Sequence, residues 1–272
     1  MKKIIIPIIL FITFILVDIF LINGKGFKVE EEIIKIKNLP ASFQNFKIMQ
    51  ISDTLIKNEK EIDNLEKIVK RTNQENIDII FFTGDLFSQS YTPNQNDIEK
   101  VTKILKKLNA KQYKYAVIGD EDTKDLTTYE NILTNSDFKI LNNESTYLFY
   151  KNNIPLKITG LTNLDNINKS LTIEDNLETA ANIVITHYPD YFSQLKNENI
   201  DLIFAGHSLL GQIRLPIYGG ILKDSWATKY LNHIYYENET TLYVSGGIGT
   251  KKINVRLFNK PEINLYKLKQ TD

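Results

Sequence analysis

From residue 31 onward the chain moves repeatedly between two hydrophobic periods. "EEIIKIKNL" alternates apolar and polar residues, which predicts a half-buried strand. "FKIMQIS", "IDIIFFTGD" and "YKYAVIGDED" are short, mostly apolar runs, the pattern of strands buried on both faces. Between them "EKEIDNLEKIVKRTNQ" sets Ile62, Leu65, Ile68 and Val69 at helical spacing, and "DIEKVTKILKKLN" is a second amphipathic helix. "TTYENILTNS" predicts a short helix. "FKIL", "STYLFYK" and "PLKITGL" follow as strands without long helices between them. "ANIVITHYP" and "IDLIFAGHS" predict buried strands around a helix in "YPDYFSQLKN". The tail, "HIYYENETTLYVSGGIG" and "INVRLFNKPEINLYKL", reads as hairpin strands, with "ENET" as a turn. Buried strands alternating with helices predict one layered α/β domain over residues 28–272, with a second sheet of mixed or antiparallel strands.

The N-terminus breaks this rhythm. "MKKIIIPIILFITFILVDIFLING" carries two lysines and then an apolar stretch from Ile4 to Ile22. As a helix it would span roughly 28 Å, about one hydrocarbon core. It is long for a signal-peptide core, and no small-x-small cleavage site follows. The expectation is a single-pass membrane anchor and linker over residues 1–27. Asp18 sits a turn from its far end, where a carboxylate can reach the interface. Lys2 and Lys3 orient such an anchor with the domain outside the cytoplasm. A cleaved signal peptide and a buried helix are the alternatives.

Composition adds mainly exclusions. The formal net charge is zero, so nothing advertises nucleic-acid binding. There is no cysteine, which excludes disulfides, thiolate metal sites and a cysteine nucleophile.

Chemistry enters at the strand ends. Five apolar strands finish in a metal-ligand type: Asp53, Asp85, Asp120 followed by Glu121, His187 and His207. Ligands bind at the carboxyl ends of strands in α/β sheets. One such aspartate is ordinarily a turn former or helix cap. Several carboxylates converging would repel one another and lose solvation, and a divalent cation resolves both costs. Oxygen and imidazole donors suit Mn, Fe or Zn better than Ca.

"ISD", "FFTGDL", "VIGDED", "ITHYP" and "FAGHSLLGQIRLP" occur in that order and resemble the five blocks of the calcineurin-like metallophosphoesterases. "YVSGGIGTKKINVRLFNKPEI" resembles the tail of that family's membrane-associated branch. The resemblance covers roughly residues 45–267. It implies a four-layer α/β/β/α sandwich of two mixed sheets flanked by helices, and two-metal phosphoester hydrolysis.

Block by block, the chain departs from that pattern. The family's Asp-x-His keeps Asp53 but has Leu55. Gly-Asp is kept as Gly84-Asp85, whose aspartate bridges both ions in the family. Gly-Asn-His has become Gly119-Asp120-Glu121. The lone histidine of the fourth block is His187. Gly-His-x-His keeps His207 and has Leu209. The resemblance therefore implies that Asp85, Asp120, His187 and His207 retain one ion, of Mn, Fe or Zn type. The second ion loses two donors to leucine and is not expected. The two leucines are expected to approach each other and fill its place. Asp53 is the weak member, leaning toward the surviving ion or needing a lysine or water. Glu121 replaces a phosphate-contacting histidine; protonated, it can serve as general acid. Gln212, Arg214 and Pro216 follow the fifth block as in the relatives, with Arg214 either meeting a phosphate or packing. Asp122 is expected as a turn or cap residue, and His233 as structural. Trp226 and Tyr230 fall in a loop that can border the site.

Three functions stay open: a membrane-anchored phosphoesterase with one metal or an adapted pair, an inactive relative that binds a phosphoester, phospholipid-like ligand or protein, and a metal-free scaffold.

Overall fold

The computed structural model describes residues 2–19, 26–164 and 177–271. Two six-stranded mixed sheets are stacked face to face. The first runs β1 (Lys28–Lys37), β14 (Glu262–Thr271), β2 (Lys47–Ile51), β3 (Ile79–Phe82), β4 (Tyr113–Ala116) and β5 (Phe138–Ile140). Strands β2 to β5 are parallel, while β14 is antiparallel to β2 and parallel to β1. The second runs β12 (Ile234–Glu237), β13 (Thr240–Val244), β9 (Leu202–Ala205), β8 (Ala181–Thr186), β7 (Leu156–Leu161) and β6 (Glu144–Leu148). Its interior strands are parallel and its edges, β12 and β6, antiparallel. A small hairpin pairs two strands of two residues each, β10 (Arg214–Leu215) and β11 (Gly219–Gly220).

The continuous apolar runs are explained by a core on each side of each sheet. In β3, Ile79 and Phe81 face the inter-sheet core, while Ile80 and Phe82 face the helices. In β9, Leu202 and Phe204 face the inter-sheet core, while Ile203 and Ala205 face the outer layer. Period-2 alternation with two buried faces leaves no polar position. Helices α2 (Glu59–Thr72), α3 (Gln95–Lys106) and α4 (Leu126–Asn135) cover the first sheet. α2 buries Ile62, Leu65, Ile68 and Val69, each contributing roughly 1.5–3 kcal/mol of apolar transfer. Its start is fixed by Asn58, whose side chain accepts from Glu61 N at 3.1 Å. Asn94 and Asp97 close a capping box on α3, and Asp125 caps α4. The outer face of the second sheet packs on a short turn of helix, α5 (Phe192–Leu195), and on Tyr191. Helices, sheet, sheet and outer layer match the four-layer expectation.

Two expectations change. The first is the place of Asp18 within the expected anchor. Helix α1 covers only Lys2–Val17, 16 residues. Among the described residues no helix is long and apolar enough to cross a membrane. Asp18, expected at a membrane interface, is buried instead and accepts from Phe258 N at 2.8 Å. Phe14 packs on Phe258 with ring centres 5.6 Å apart, so the end of α1 docks on the domain. The rest of the expected anchor and linker, residues 20–25, lies outside the described residues. The second is the tail. "INVRLFNKPEINLYKL" becomes a strand only from Glu262 onward, as β14, and that strand joins the first sheet. Residues 253–261 are irregular because side chains satisfy their backbone: Gln212 Nε2 donates to Ile253 O and Val255 O.

Candidate metal centre

The carboxyl ends of β2, β3 and β4 meet those of β8, β9 and β13 across the sandwich. Gln50 Nε2 donates to Ala205 O at 2.9 Å, and His207 N donates to Asp53 Oδ2 at 2.9 Å. The strands stop there in bent backbone. Asp53, Leu55, Asp85, His207 and Leu209 all have φ between 46° and 64°. Left-handed backbone costs a residue with a Cβ roughly 1–2 kcal/mol, and such strain gathers at functional sites. Gly84 (φ 90°) and Gly119 let the second and third blocks touch: a Cβ on Gly84 would stand 2.7 Å from Gly119 N.

Four donors converge. His187 Nε2 lies 3.0 Å from Asp120 Oδ1, 3.2 Å from Asp85 Oδ2 and 3.0 Å from His207 Nδ1. His207 Nδ1 lies 3.0 Å from Asp120 Oδ1. The four donor atoms all stand within 4.8 Å of one another. Donors around a tetrahedral ion stand about 3.4 Å apart at bond lengths of ~2.1 Å, so the set is close to the spacing an ion requires. Backbone carbonyls orient both rings. His187 Nδ1–H donates to Thr83 O at 2.6 Å, which leaves Nε2 for the cluster. His207 Nε2–H donates to Ser225 O at 2.6 Å, which leaves Nδ1. Such outer hydrogen bonds set the tautomer that a metal needs. Asp53 Oδ1 is a buried oxygen with no hydrogen bond, whereas Asp85 Oδ2 stands against His187 Nε2 within the cluster. Converging donors, with both imidazoles turned toward them, fit one divalent ion held by Asp85, Asp120, His187 and His207.

Asp53 is outside this set. Its Oδ2 accepts from Ser52 Oγ and His207 N, so it braces the fifth block from below. Leu55 and Leu209 are both buried. Leu55 lies under Gly249 and Leu209 under Gly247, so both pack against the loop 246–249. No donor stands at either position.

That loop brings in a residue that the sequence reasoning missed. Lys251 Nζ lies 2.9 Å from Asp85 Oδ2, 3.3 Å from Asp120 Oδ1 and 3.0 Å from His207 Nδ1. Its ion pairs are with Asp85 and Asp120; Asp53, expected to need a lysine, feels it only as a nearby charge. Burial opposes its charge, but Asp85, Asp53 and Asp120 outweigh burial and hold its pKa up. Burial likewise opposes an imidazolium at His187, and Asp85 and Asp120 again prevail, raising its pKa well above the ordinary value. Burial raises the Asp53 carboxyl, while His187 and Lys251 draw Asp85 down against burial.

The surroundings divide into braces and rim. Asp122 is a clamp: its carboxylate accepts from Asp85 N, Leu86 N and Gly119 N, each at 2.8 Å. Burial and the Asp85 charge push its pKa up to about 7 against those donors. Glu121 stands at the rim, half-buried, with Oε2 accepting from Gln89 N. Burial raises its carboxyl, Gln89 opposes, and Asp85 and Asp120 add to the rise. Arg214 packs: it donates to Leu210 O, Leu231 O and Asn232 Oδ1. His233 stands 3.3 Å from Glu262, away from the cluster. Trp226 is half exposed beside Tyr191, in the loop whose Ser225 holds His207, whereas Tyr230 packs on Phe192 and Tyr235.

The tail segment also gains a purpose. Arg256 donates to Gly246 O, Gly247 O and Gly249 O, and Glu262 Oε1 accepts from Gly246 N. These bonds shape the loop that delivers Lys251.

A family model described as calcineurin-like phosphoesterase matches residues 46–210. The chain is 28% identical over 246 residues to the uncharacterized metallophosphoesterase YkuE of Bacillus subtilis (strain 168), covering 89% of this chain and 85% of that protein. It is 26% identical over 257 residues to YkoQ of the same organism, an uncharacterized metallophosphoesterase, covering 90% and 92%. Among solved structures, the sulfate thiohydrolase SoxB of Thermus thermophilus superposes with a TM-score of 0.51 at 11% identity, over 85% of this chain and 58% of that one. At that identity the likeness concerns the fold alone. Since the matched span takes in every block from Asp53 to Leu209 and more than half the sequence, the chain belongs to the calcineurin-like phosphoesterases.

Proposed function

We propose that the chain hydrolyses a phosphoester with one divalent ion held by Asp85, Asp120, His187 and His207, more slowly than a two-metal relative. The observation that carries this reading is the four-donor cluster, with both imidazoles turned toward it by Thr83 O and Ser225 O. Mn, Fe or Zn suits the donor set. When bound, the ion supplies Lewis-acid charge stabilisation and activates water near neutral pH. The chain's own residues bind and orient. A narrow cleft beside the cluster is lined by His207, Lys223 and Lys251, with Lys252 paired to Asp224 at its edge, so Lys223 is the lysine there proposed to meet an anionic ligand. Glu121, with its carboxyl raised by burial, is proposed as the group that protonates the leaving oxygen. With leucine at 55 and 209, no second ion clamps the far oxygen.

A second reading is a relative that binds its phosphoester or phospholipid-like ligand without turning it over. Lys251 favours it, because the ammonium already stands against three of the four donors.

The test uses Mn-loaded full-length protein with a generic phosphodiester and a glycerophospholipid as probes. The first reading expects about one ion per chain and turnover that falls in Asp85→Asn, with the ion lost in His207→Ala. Binding of a probe without turnover supports the second reading. Two ions per chain would overturn the single-metal assignment.

A further inference from the structure

The centre already contains a cation on a covalent tether. Lys251 is nine-tenths buried, and its Nζ touches Asp85 Oδ2, Asp120 Oδ1 and His207 Nδ1 at 2.9, 3.3 and 3.0 Å. Those are three of the four atoms that would hold a divalent ion. Its backbone is fixed as firmly as the rings are: Lys251 N donates to Gln212 Oε1 at 2.7 Å, and Arg256 pins the preceding loop. Nothing in that arrangement is accidental packing of a surface lysine. A neutral side chain there would leave Asp85 and Asp120 with only the two imidazoles as partners, and removing one partner of a buried charge is strongly unfavourable.

The other departures from the family pattern fit the same picture. Leu55 and Leu209 remove two donors from the second ion's place, yet Asp53 and Asp85 remain and still require positive charge. An ammonium meets that requirement without needing imidazole donors. It also has a cost for metal binding. The His207 Nδ1 lone pair cannot accept from Lys251 and donate to an ion at once.

We infer that Lys251 is a built-in counter-cation, which replaces a divalent ion in neutralising this centre and competes with such an ion for Asp85, Asp120 and His207. The inference rests on the four-donor assignment but not on hydrolysis.

The test is Lys251→Met in the full chain, read by thermal unfolding with EDTA or with Mn2+, and by Mn2+ binding calorimetry. In EDTA the wild type should unfold cooperatively and gain little from Mn2+. Lys251→Met should unfold several degrees earlier in EDTA, recover on adding Mn2+, and bind Mn2+ about tenfold tighter or more, equivalent to about 1.4 kcal/mol. Should Lys251→Met fail to fold without metal, Lys251→Met with Asp53→Asn removes one charge of each sign and should regain stability in EDTA. Wild-type midpoint in EDTA and unchanged Mn2+ affinity in Lys251→Met would overturn the inference. So would a double variant no more stable than the single one, since that outcome belongs to lost packing. If the wild type takes up no Mn2+ but Lys251→Met binds one ion, the hydrolase reading fails and this inference stands. If the wild type binds one ion and Lys251→Met binds no tighter, the hydrolase reading stands and this inference fails.

Discussion

Asp122 holds Asp85 by its backbone: the Asp85 N–H donates to Asp122 Oδ2 at 2.8 Å, and the same carboxylate also binds Leu86 N and Gly119 N. One buried side chain thus joins the second and third blocks. Asp122→Ala leaves three buried N–H groups without acceptors, so it should cost about 3 kcal/mol or more. Asn, which keeps one acceptor oxygen, should cost less. Urea unfolding of the three proteins checks the order, and equal stability of wild type and Asp122→Ala would contradict the clamp.

Leu55 and Leu209 sit at φ 46° and 48°, a backbone that histidine tolerates better than leucine. Leu55→His with Leu209→His should therefore fold. It should still hold no more than one ion per chain while Lys251 occupies the centre. Adding Lys251→Met to that pair should raise Mn2+ content toward two. Elemental analysis after Mn2+ loading and dialysis decides, and two ions in the double variant with Lys251 intact would count against competition by the ammonium.

Asp190 ties the loop that carries Ser225 to the outer layer. Its carboxylate accepts from Thr228 N, Thr228 Oγ1 and Lys229 N, and these bonds, against the opposing effect of burial, draw its pKa below the ordinary value. A depressed carboxyl stabilises the fold fully above the unfolded pKa of about 3.9, and that contribution is lost as pH falls through the folded pKa. Asp190→Ala should be less stable than wild type at pH 7, with the gap closing as the pH falls below about 4. A gap that does not change between pH 7 and pH 3 would exclude this role.

The Glu121 side chain accepts from Gln89 N, while only its backbone N–H reaches the donor cluster, at Asp85 Oδ1. Glu121→Gln should leave the ion content unchanged. If its proton reaches the leaving oxygen, turnover should drop by roughly 10²-fold or more and lose its alkaline limb, because a general acid works only while protonated. An unaltered pH–rate profile would remove Glu121 from the chemistry.

The donor cluster was legible because each member follows a buried parallel strand, and such strands announce themselves by continuous apolar runs. The apolar runs placed these residues at strand ends, and the resemblance then implied that Asp85, Asp120, His187 and His207 form one set apart from Asp53. Lys251 was not legible. It lies in an irregular segment between β13 and β14 with no period, in a chain where lysine is common. Its identity as an interior cation depends on Gln212 and Arg256, which fold the segment inward from distant positions. The only prior signal was the deficit itself: three carboxylates with two ligand histidines replaced by leucine. Asp18 misled for the opposite reason. Hydropathy describes a helix in isolation, whereas this carboxylate finds its partner at Phe258 N, 240 residues away.

The position of β14 sets an order of events. It lies between β1 and β2, pairing with both, so the first sheet has a gap until residues 262–271 arrive. On a ribosome, β2, β3 and β4 would emerge with one edge unpaired, and the loop bearing Lys251 would not yet be anchored. Pairings this distant in sequence are slow to close. The half-built sheet is therefore the stage at which nascent chains of this protein are most exposed to aggregation, and a chaperone would have most to protect there.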